Sequence, residues 1–385
     1  MANVLTATQM ETWERTTQAL LEEGSIAMDL ANVRDMNGQW TLHNPYDIRM
    51  QSGTYTAYND VTDQDINYVD DTLTTFTSRI VSFVYDPVSQ MDTEYDVAMS
   101  QTRNAAYVLG LDIERDFFAE YSNATHASSS TITLGSSNVV TTFGNAKAAL
   151  TNTGVNPNDI VVVVDDFQSV KIADYVVTNG FVMADESIRR GLQGKLVNMP
   201  LYTSSSLIAE GSLTPADNFS ADETVTINGV TFTFKAVPSA AGEVDIGAST
   251  AVSIDNLVAA VNNSAGYAPW AGSATAYFEV TAANRELLNG VVATDGTTTM
   301  DITTRGYRAV SSSSNEWGAI TLNALVMSKR AVDFAFKEKV KLYTQPVHKQ
   351  LGTRYMTHVR YGIKTFAQGA KKMYNLKLLA QAAGA

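Results

Sequence analysis

One stretch of the chain, from Asp92 or Thr93 to Tyr121, has the pattern of a single long helix. Larger side chains recur there every three or four residues, which places them on one helical face. They are Tyr95, Met99, Thr102, Ala106, Leu109, Ile113 and Phe117. A helix of about thirty residues is roughly 45 Å long. This is long for a compact domain, so the pattern predicts an extended subunit with a stiff helical spine.

The segment after a polar linker has the alternation of an α/β region. Asp159–Asp166 contains an uninterrupted run of β-branched residues, which is typical of a strand buried on both faces. Helices are predicted on either side of it, at 143–154 and 166–176. Residues 195–204 are predicted to form the next strand.

At Gly211 the composition shifts to Thr, Ala, Gly, Ser and Asp, and it stays so until about Ser314. Residues 224–237 predict a hairpin, because Asn228-Gly229 suits the two positive-φ positions of a tight turn. Further elements predicted in this segment are a helix at 250–264 and strands at 275–283 and 298–306. The pattern indicates a small domain inserted into the α/β region. We expect the α/β region to fold without this inserted domain.

The N-terminal part of the chain combines a helix with an extended arm. Thr8–Glu23 predicts an amphipathic helix that ends at Gly24. Strands are predicted at 38–51 and 77–90, joined by a polar, acidic stretch that contains residues 59–71. A two-stranded arm is marginally stable alone, so we expect it to rest on another subunit.

After Trp317 the chain returns to a composition like that found before Gly211. It predicts either a helix or a strand at 319–328, then strands that contain Val332–Phe336 and Tyr355–Ile363. In the last of these, Tyr355, Val359 and Tyr361 alternate with His358 and Arg360, which predicts two different faces. The final residues, 370–385, are predicted as a short helix.

Charge is unevenly distributed over the 385 residues. The net charge is −13, yet residues 329–385 carry 12 basic side chains against two acidic ones. Such a segment favours either a polyanion-facing surface or contact with acidic neighbouring parts or copies. The chain has no cysteine, which fits a reducing cytosol. It shows no secretory signal pattern and no apolar run long enough for a membrane span.

No residue pattern predicts a catalytic, metal or cofactor site. The four histidines, His43, His126, His348 and His358, lack a metal-ligand spacing and are interpreted as structural. The acidic stretch, with Asp60, Asp63, Asp65, Asp70 and Asp71, lacks the glycine and terminal glutamate of a calcium loop. Asp165 and Asp166 end a strand where open α/β sheets often bind ligands. They have no identifiable partner group, so a turn and helix cap is the preferred interpretation.

Several segments resemble the major capsid protein of tailed bacteriophages, whose coat fold is shared with herpesvirus shells and encapsulins. Four of them lie in the main body of the chain: Thr93–Tyr121 resembles the spine helix, Asp159–Tyr175 the central strand and helix, Gly191–Leu207 the turn and strand, and Leu322–Tyr343 the return segment. The inserted residues 226–264 are similar to a module of phage structural proteins.

This resemblance implies an α+β fold of the tailed-phage major capsid type, with a mostly-β inserted domain. Its parts would be an N-terminal arm and helix (1–36) and an extended loop (37–91). A peripheral domain with the spine helix would comprise 92–129 and 337–385. An axial domain would comprise 130–210 and 315–336, and the inserted domain 211–314.

The resemblance also implies a function. The protein would be a non-enzymatic coat protein that assembles into pentamers and hexamers of an icosahedral virion shell around double-stranded DNA. Other partners would be a portal and separate scaffolding or decoration proteins. DNA contact would be non-specific, no membrane would be involved, and assembly would occur in the host bacterial cytoplasm. The alternatives are an encapsulin-type compartment shell and a phage surface or fibre-associated binding protein.

Overall fold

The structure is a computed structural model, and it divides the chain into two compact units. The first comprises Met1–Asn123 and Lys329–Lys371, and the second comprises Ala124–Ser328 and Lys372–Ala385. The structure describes residues 14–21, 25–36, 39–47, 54, 68–85, 97–135, 137–178, 195–263, 276–314, 316–347 and 353–384.

The helices are named in chain order. They are α1 (14–21), α2 (Ile26–Leu30), α3 (Val97–Phe118), α4 (Val139–Asn152), α5 (Asp166–Thr178), α6 (Thr250–Asn262), α7 (Ala282–Leu287) and α8 (Ala367–Ala370).

The strands are named in the same way. They are β1 (Asn32–Asp35), β2 (Leu42–Asp47), β3 (Tyr68–Leu73), β4 (Thr77–Tyr85), β5 (His126–Ala127), β6 (Ile160–Val164), β7 (Lys195–Leu196), β8 (Met199–Thr203), β9 (Ile208–Leu213), β10 (Thr224–Ile227), β11 (Val230–Lys235), β12 (Glu243–Asp245), β13 (Val291–Asp295), β14 (Met300–Arg305), β15 (Val310–Ser312), β16 (Ile320–Ser328), β17 (Asp333–Pro346), β18 (Thr353–Lys364) and β19 (Met373–Gln381).

A four-stranded sheet with the order β1-β17-β18-β4 forms the base of the first unit. β17 and β18 are an antiparallel pair, and β4 continues the sheet antiparallel to β18. In β18, Tyr355, Thr357, Val359 and Tyr361 are buried, whereas the residues between them are more exposed. The alternation predicted for this strand is therefore confirmed.

Helix α3 lies against β4 and β18. It has 22 residues, so its length is about 33 Å. Ala106, Leu109, Ile113 and Phe117 are all buried, as the periodicity predicted. The helix continues into a 3₁₀ turn over Ala119–Asn123. The predicted spine helix is thus confirmed over its described part, and Tyr95 lies outside the described residues.

The acidic stretch differs from its prediction. Its last residues form β3, which pairs with β2 in a two-stranded sheet, and β4 pairs with β18 instead of β2. Leu73 at the end of β3 is buried in a small core with Ala335 and Phe366, which gives this strand an apolar anchor. Asp70 and Asp71 are therefore strand residues. Residues 59–67 lie outside the described part of the chain.

A nine-stranded sheet dominates the second unit. Its main path is β13-β14-β9-β16-β6-β8-β7, and β19 and β5 extend from β16. All five residues of β6 are fully buried, which confirms the strand predicted there. Its core includes Val162 and Val164 of β6 together with Phe143 and Leu150 of α4. Helices α4 and α5 correspond to the two predicted helices. The helix-or-strand alternative at 319–328 is resolved as strand β16.

The C-terminal prediction of a short helix is wrong. Residues Met373–Gln381 form β19, which pairs antiparallel with β16 in the second unit. Leu376 and Leu378 both enter the core, and this spacing of two is that of a strand. The end of the chain therefore does not belong with α3, in contrast to the predicted division, which groups residues 337–385 with the spine helix.

The strand predicted at 195–204 is instead a tight hairpin. Lys195 pairs with Pro200 and Leu196 with Met199. Val197 and Asn198 form the turn, with φ angles of 51° and 60°. Asparagine tolerates this left-handed region better than most residues do, and the positive φ angles of the turn allow β7 to fold back on β8.

A smaller sheet in the second unit has the order β12-β11-β10-β15. The predicted hairpin is confirmed, because β10 and β11 pair around Asn228 (φ 50°) and Gly229 (φ 81°). The prediction of a strand at 275–283 is wrong. In this segment Tyr277 makes only an isolated bridge to Val244, and the Thr281 hydroxyl accepts a hydrogen bond from the Asn284 N–H, which caps α7.

The composition change at Gly211 is not a structural boundary. Strand β9 runs through it from Ile208 to Leu213 and pairs with β14, which in turn pairs with β13. Two strands from the predicted insertion thus extend the nine-stranded sheet. Burial alternates along β13, where Val291 and Ala293 are buried and Val292 is exposed.

Candidate functional site

The three histidines that the structure describes do not converge on one site. His43 Nδ1 is 2.6 Å from Asp70 Oδ2 on the exposed β2–β3 pair, and His358 Nδ1 is 3.6 Å from Glu338 Oε2. His126 stacks on Tyr374, and His348 lies outside the described residues. In the described ranges, no group of three or more metal-ligating side chains is present. We therefore assign no metal chemistry to these residues.

The carboxyl end of β6 is closed by the chain itself. Asp165 is buried, and its carboxylate accepts a hydrogen bond from the Phe167 N–H at 3.4 Å at the start of α5. Burial, with the neighbouring charge of Asp166, raises the pKa of the Asp165 carboxyl above its ordinary value. Gly306 packs directly over this point, where an added Cβ would lie 2.6 Å from the Ser205 carbonyl oxygen. Asp165 is thus placed as a helix cap beneath the loop that contains Gly306, which joins β14 to β15 and is called the covering loop.

In the first unit, three side chains join α3 to the sheet. Arg79 donates from Nη2 to both carboxylate oxygens of Asp116, at 3.1 and 2.8 Å. The Tyr361 hydroxyl donates to Asp116 Oδ2 at 2.7 Å. Burial, followed by the charge of Asp116, raises the pKa of Tyr361, so the hydroxyl keeps its proton. This network connects β4, α3 and β18.

The base of the β2–β3 pair has its own ionic anchor. Lys364 Nζ lies 2.7 Å from Asp71 Oδ1 and donates to the Thr72 carbonyl oxygen at 2.6 Å. The Ala367 N–H donates to the other carboxylate oxygen at 3.1 Å. Burial opposes the shift, but Lys364 and the backbone donors hold the pKa of Asp71 below its ordinary value.

The four-stranded sheet presents one face towards α3 and the other towards solvent. We call the second the exposed sheet face. It consists of Ser78, Ile80, Ser82 and Val84 of β4, Arg354, Met356, His358 and Arg360 of β18, and Glu338, Lys341, Tyr343 and Gln345 of β17. These side chains share a face because directly paired residues of antiparallel strands point to the same side.

The free edges of this sheet differ. β17 extends beyond β1, which pairs only with Asp333–Phe336. On that outer edge of β17, the backbone N–H groups of Val340 and Leu342 donate to the side chains of Gln18 at 3.2 Å and Glu14 at 2.8 Å, so α1 covers it. On the other side, β18 is the one strand that pairs with β4 in the described part of the chain. The sequence predicted the alternation of β18, but not its β4 partner, because that pairing joins segments about 280 residues apart.

The described residues include no helix that combines the length and apolar character needed to cross a membrane. No protein-family model matches the chain, and no curated protein matches it.

Solved structures do match. A chain from the capsid structure of the cyanophage P-SCSP1u has a TM-score of 0.54 and 11% identity, with 92% of this chain and 88% of that chain covered. A chain from a structure of Mycobacterium phage Che8 has a TM-score of 0.51 and 10% identity, with coverage of 91% and 90%. At these identities the likeness establishes the fold, and it extends over nearly the whole chain. This chain therefore has the α+β fold of tailed-phage capsid proteins.

Proposed function

We propose that this protein is the major capsid protein of a tailed bacteriophage, which assembles into the icosahedral shell around the double-stranded DNA genome. The observation that carries the proposal is the likeness to a phage capsid chain over 92% of the sequence. No reaction is assigned to the protein.

The β2–β3 pair supports an assembly role. Trp40, just before β2, is 77% exposed, and Tyr68 at the start of β3 is 72% exposed. An isolated two-stranded sheet is marginally stable in water. Burial of such aromatic side chains against a neighbouring subunit would stabilise both the sheet and the assembly. We therefore propose that the β2–β3 pair belongs to an extended loop that lies over a neighbour. The loop expected at 37–91 ends before β4, because Thr77–Tyr85 pairs with β18 in the four-stranded sheet.

The remaining parts of the proposal follow from the same role. The α3 region is the peripheral domain, and the α/β part of the second unit is the axial domain. Copies form pentamers and hexamers, and the shell is joined by a portal and by separate scaffolding or decoration proteins. Contact with packaged DNA is non-specific, and assembly takes place in the host bacterial cytoplasm.

Sedimentation of the purified protein tests this role. We expect closed shells or capsomer-sized oligomers, and we expect native particles to contain nuclease-protected double-stranded DNA. A stable monomer at high concentration would contradict the proposal. Particles filled with a folded protein cargo in place of DNA would favour a compartment shell.

A further inference from the structure

The exposed sheet face combines arginines with exposed apolar side chains. Glu338 lies 2.7 Å from Lys341, so these two charges compensate each other. Arg354 and Arg360 make no ion pair with any described residue. Beside them, Ile80 is 58% exposed, Val84 is 49% exposed and Tyr343 is 45% exposed.

These residues are neighbours across three strands. Val84 pairs with Arg354, and Ile80 pairs with His358. Met356 lies between these two rows and pairs with Tyr343 on its other side. The apolar and cationic groups therefore form one continuous surface, and they are not scattered surface residues.

The composition of this surface indicates a protein partner. Tyr, Met and Arg are the residue types enriched in protein–protein interfaces. A surface that binds DNA without base readout contacts mainly phosphates and gains little from aliphatic side chains. Ile80 and Val84 would be left without an apolar contact against a phosphate backbone, whereas a protein surface can bury them.

We propose that the exposed sheet face binds an acidic surface of a second copy of this chain. The charge distribution supports this occupant. The segment 329–385, which contains β17 and β18, carries 12 of the 27 basic residues and only two of the 40 acidic ones. A second copy therefore supplies a large excess of carboxylates outside this segment. The proposal rests on the proposed shell function and names one surface through which copies would join.

Two substitutions test the surface, each with a matched control. Val84→Ser removes an apolar group from it, and Val292→Ser does the same on β13, where valine is 45% exposed. Arg354→Gln removes a cation from it, and Arg103→Gln does so on α3, where the arginine is exposed. We expect Val84→Ser and Arg354→Gln each to raise the protein concentration needed for particle formation about tenfold. The control variants should assemble like the unmodified protein.

The outcomes separate this inference from the proposed function. If the unmodified protein forms particles and both exposed-face variants assemble at the same concentration, the surface inference is wrong and the shell function stands. If the unmodified protein forms no oligomer, the shell function fails.

A photo-crosslinking amino acid at position 84 of the full-length chain identifies the occupant directly. Mixing isotopically light and heavy copies distinguishes crosslinks between chains from crosslinks within one chain. The crosslinks are measured both in particles and in concentrated solution. Crosslinks to acidic peptides of a second copy support the proposal. Crosslinks to DNA, or no crosslinks between chains, overturn it.

Discussion

Gly306 shows how one residue closes a position where a ligand site could have formed. It has a φ of 68°, a region that favours glycine, and its N–H donates to the Leu207 carbonyl oxygen at 2.6 Å. The Ser205 carbonyl oxygen occupies the space that a Cβ would need. The residue thus holds the covering loop against the carboxyl end of β6.

Gly306→Ala is therefore expected to lower the free energy of unfolding by about 1–3 kcal/mol, through backbone strain and the clash with a carbonyl that cannot rotate away. Gly144→Ala in α4 is the control. A Cβ there meets nothing within 4 Å, and alanine is the better helix former by about 1 kcal/mol. Denaturant unfolding should show opposite signs for the two variants. Equal stability of both would contradict this role of Gly306.

Asp71 gives the first unit a pH-dependent contribution. Its folded-state pKa is lowered, so its stabilising effect is present above the unfolded pKa of about 3.9 and is lost as pH falls through the folded value. Asp71→Asn should lower the free energy of unfolding by roughly 1 kcal/mol at neutral pH and flatten its decline below about pH 4. Unfolding curves measured from pH 7 to pH 3 test this.

Asp70→Asn is the matched control for that series. Asp70 lies on the same strand, and its side chain is 47% exposed, against 22% for Asp71. We expect a smaller effect, because solvent screens the more exposed pair. A larger effect from Asp70 would show that the Lys364 anchor is not the important contact.

At the scale of elements, β19 illustrates a contribution that is not local. It covers one edge of β16 and supplies Leu376 and Leu378 to the core of the second unit. Truncation after Lys372 should therefore leave the second unit unfolded or aggregated, since it removes a whole edge of the sheet. Truncation after Gln381 keeps β19 and should be tolerated. Circular dichroism and the soluble fraction measure both, and a folded protein after the longer truncation would contradict this role.

For excision of residues 211–314, the sheet topology predicts a different outcome from the one that the sequence alone predicts. From the sequence alone, the α/β region is expected to survive it. Because β13 and β14 extend the sheet through β9, the excision would remove both strands and would also cut β9, whose last residues, Gly211–Leu213, lie in the excised segment. The structure therefore predicts a loss of folded protein, measured by circular dichroism. Full retention of the α/β signal would restore the interpretation as an independent insertion.

The elements that were predictable from the sequence are those specified locally. Helix α3 follows from the spacing of Leu109, Ile113 and Phe117, and the β10–β11 hairpin follows from its Asn-Gly turn. The failures involve pairing between distant segments. Residues 373–381 form a strand by pairing with β16, and the exposed sheet face requires β4 to pair with β18. No local pattern encodes those partners.

At the scale of the whole molecule, we propose this chain as one subunit of a shell. The known capsid fold, the exposed aromatic residues near the β2–β3 pair and the cationic, apolar sheet face all fit that arrangement. Its stability would come from many interfaces between copies, each of which buries apolar surface.

Electron cryo-microscopy of the purified full-length protein is the most direct measurement. We expect closed icosahedral shells built from pentamers and hexamers, with α3 and the β2–β3 pair resolved in each subunit. A population of dispersed monomers at high protein concentration, with an ordered β2–β3 pair that contacts no neighbour, would contradict the proposed shell function.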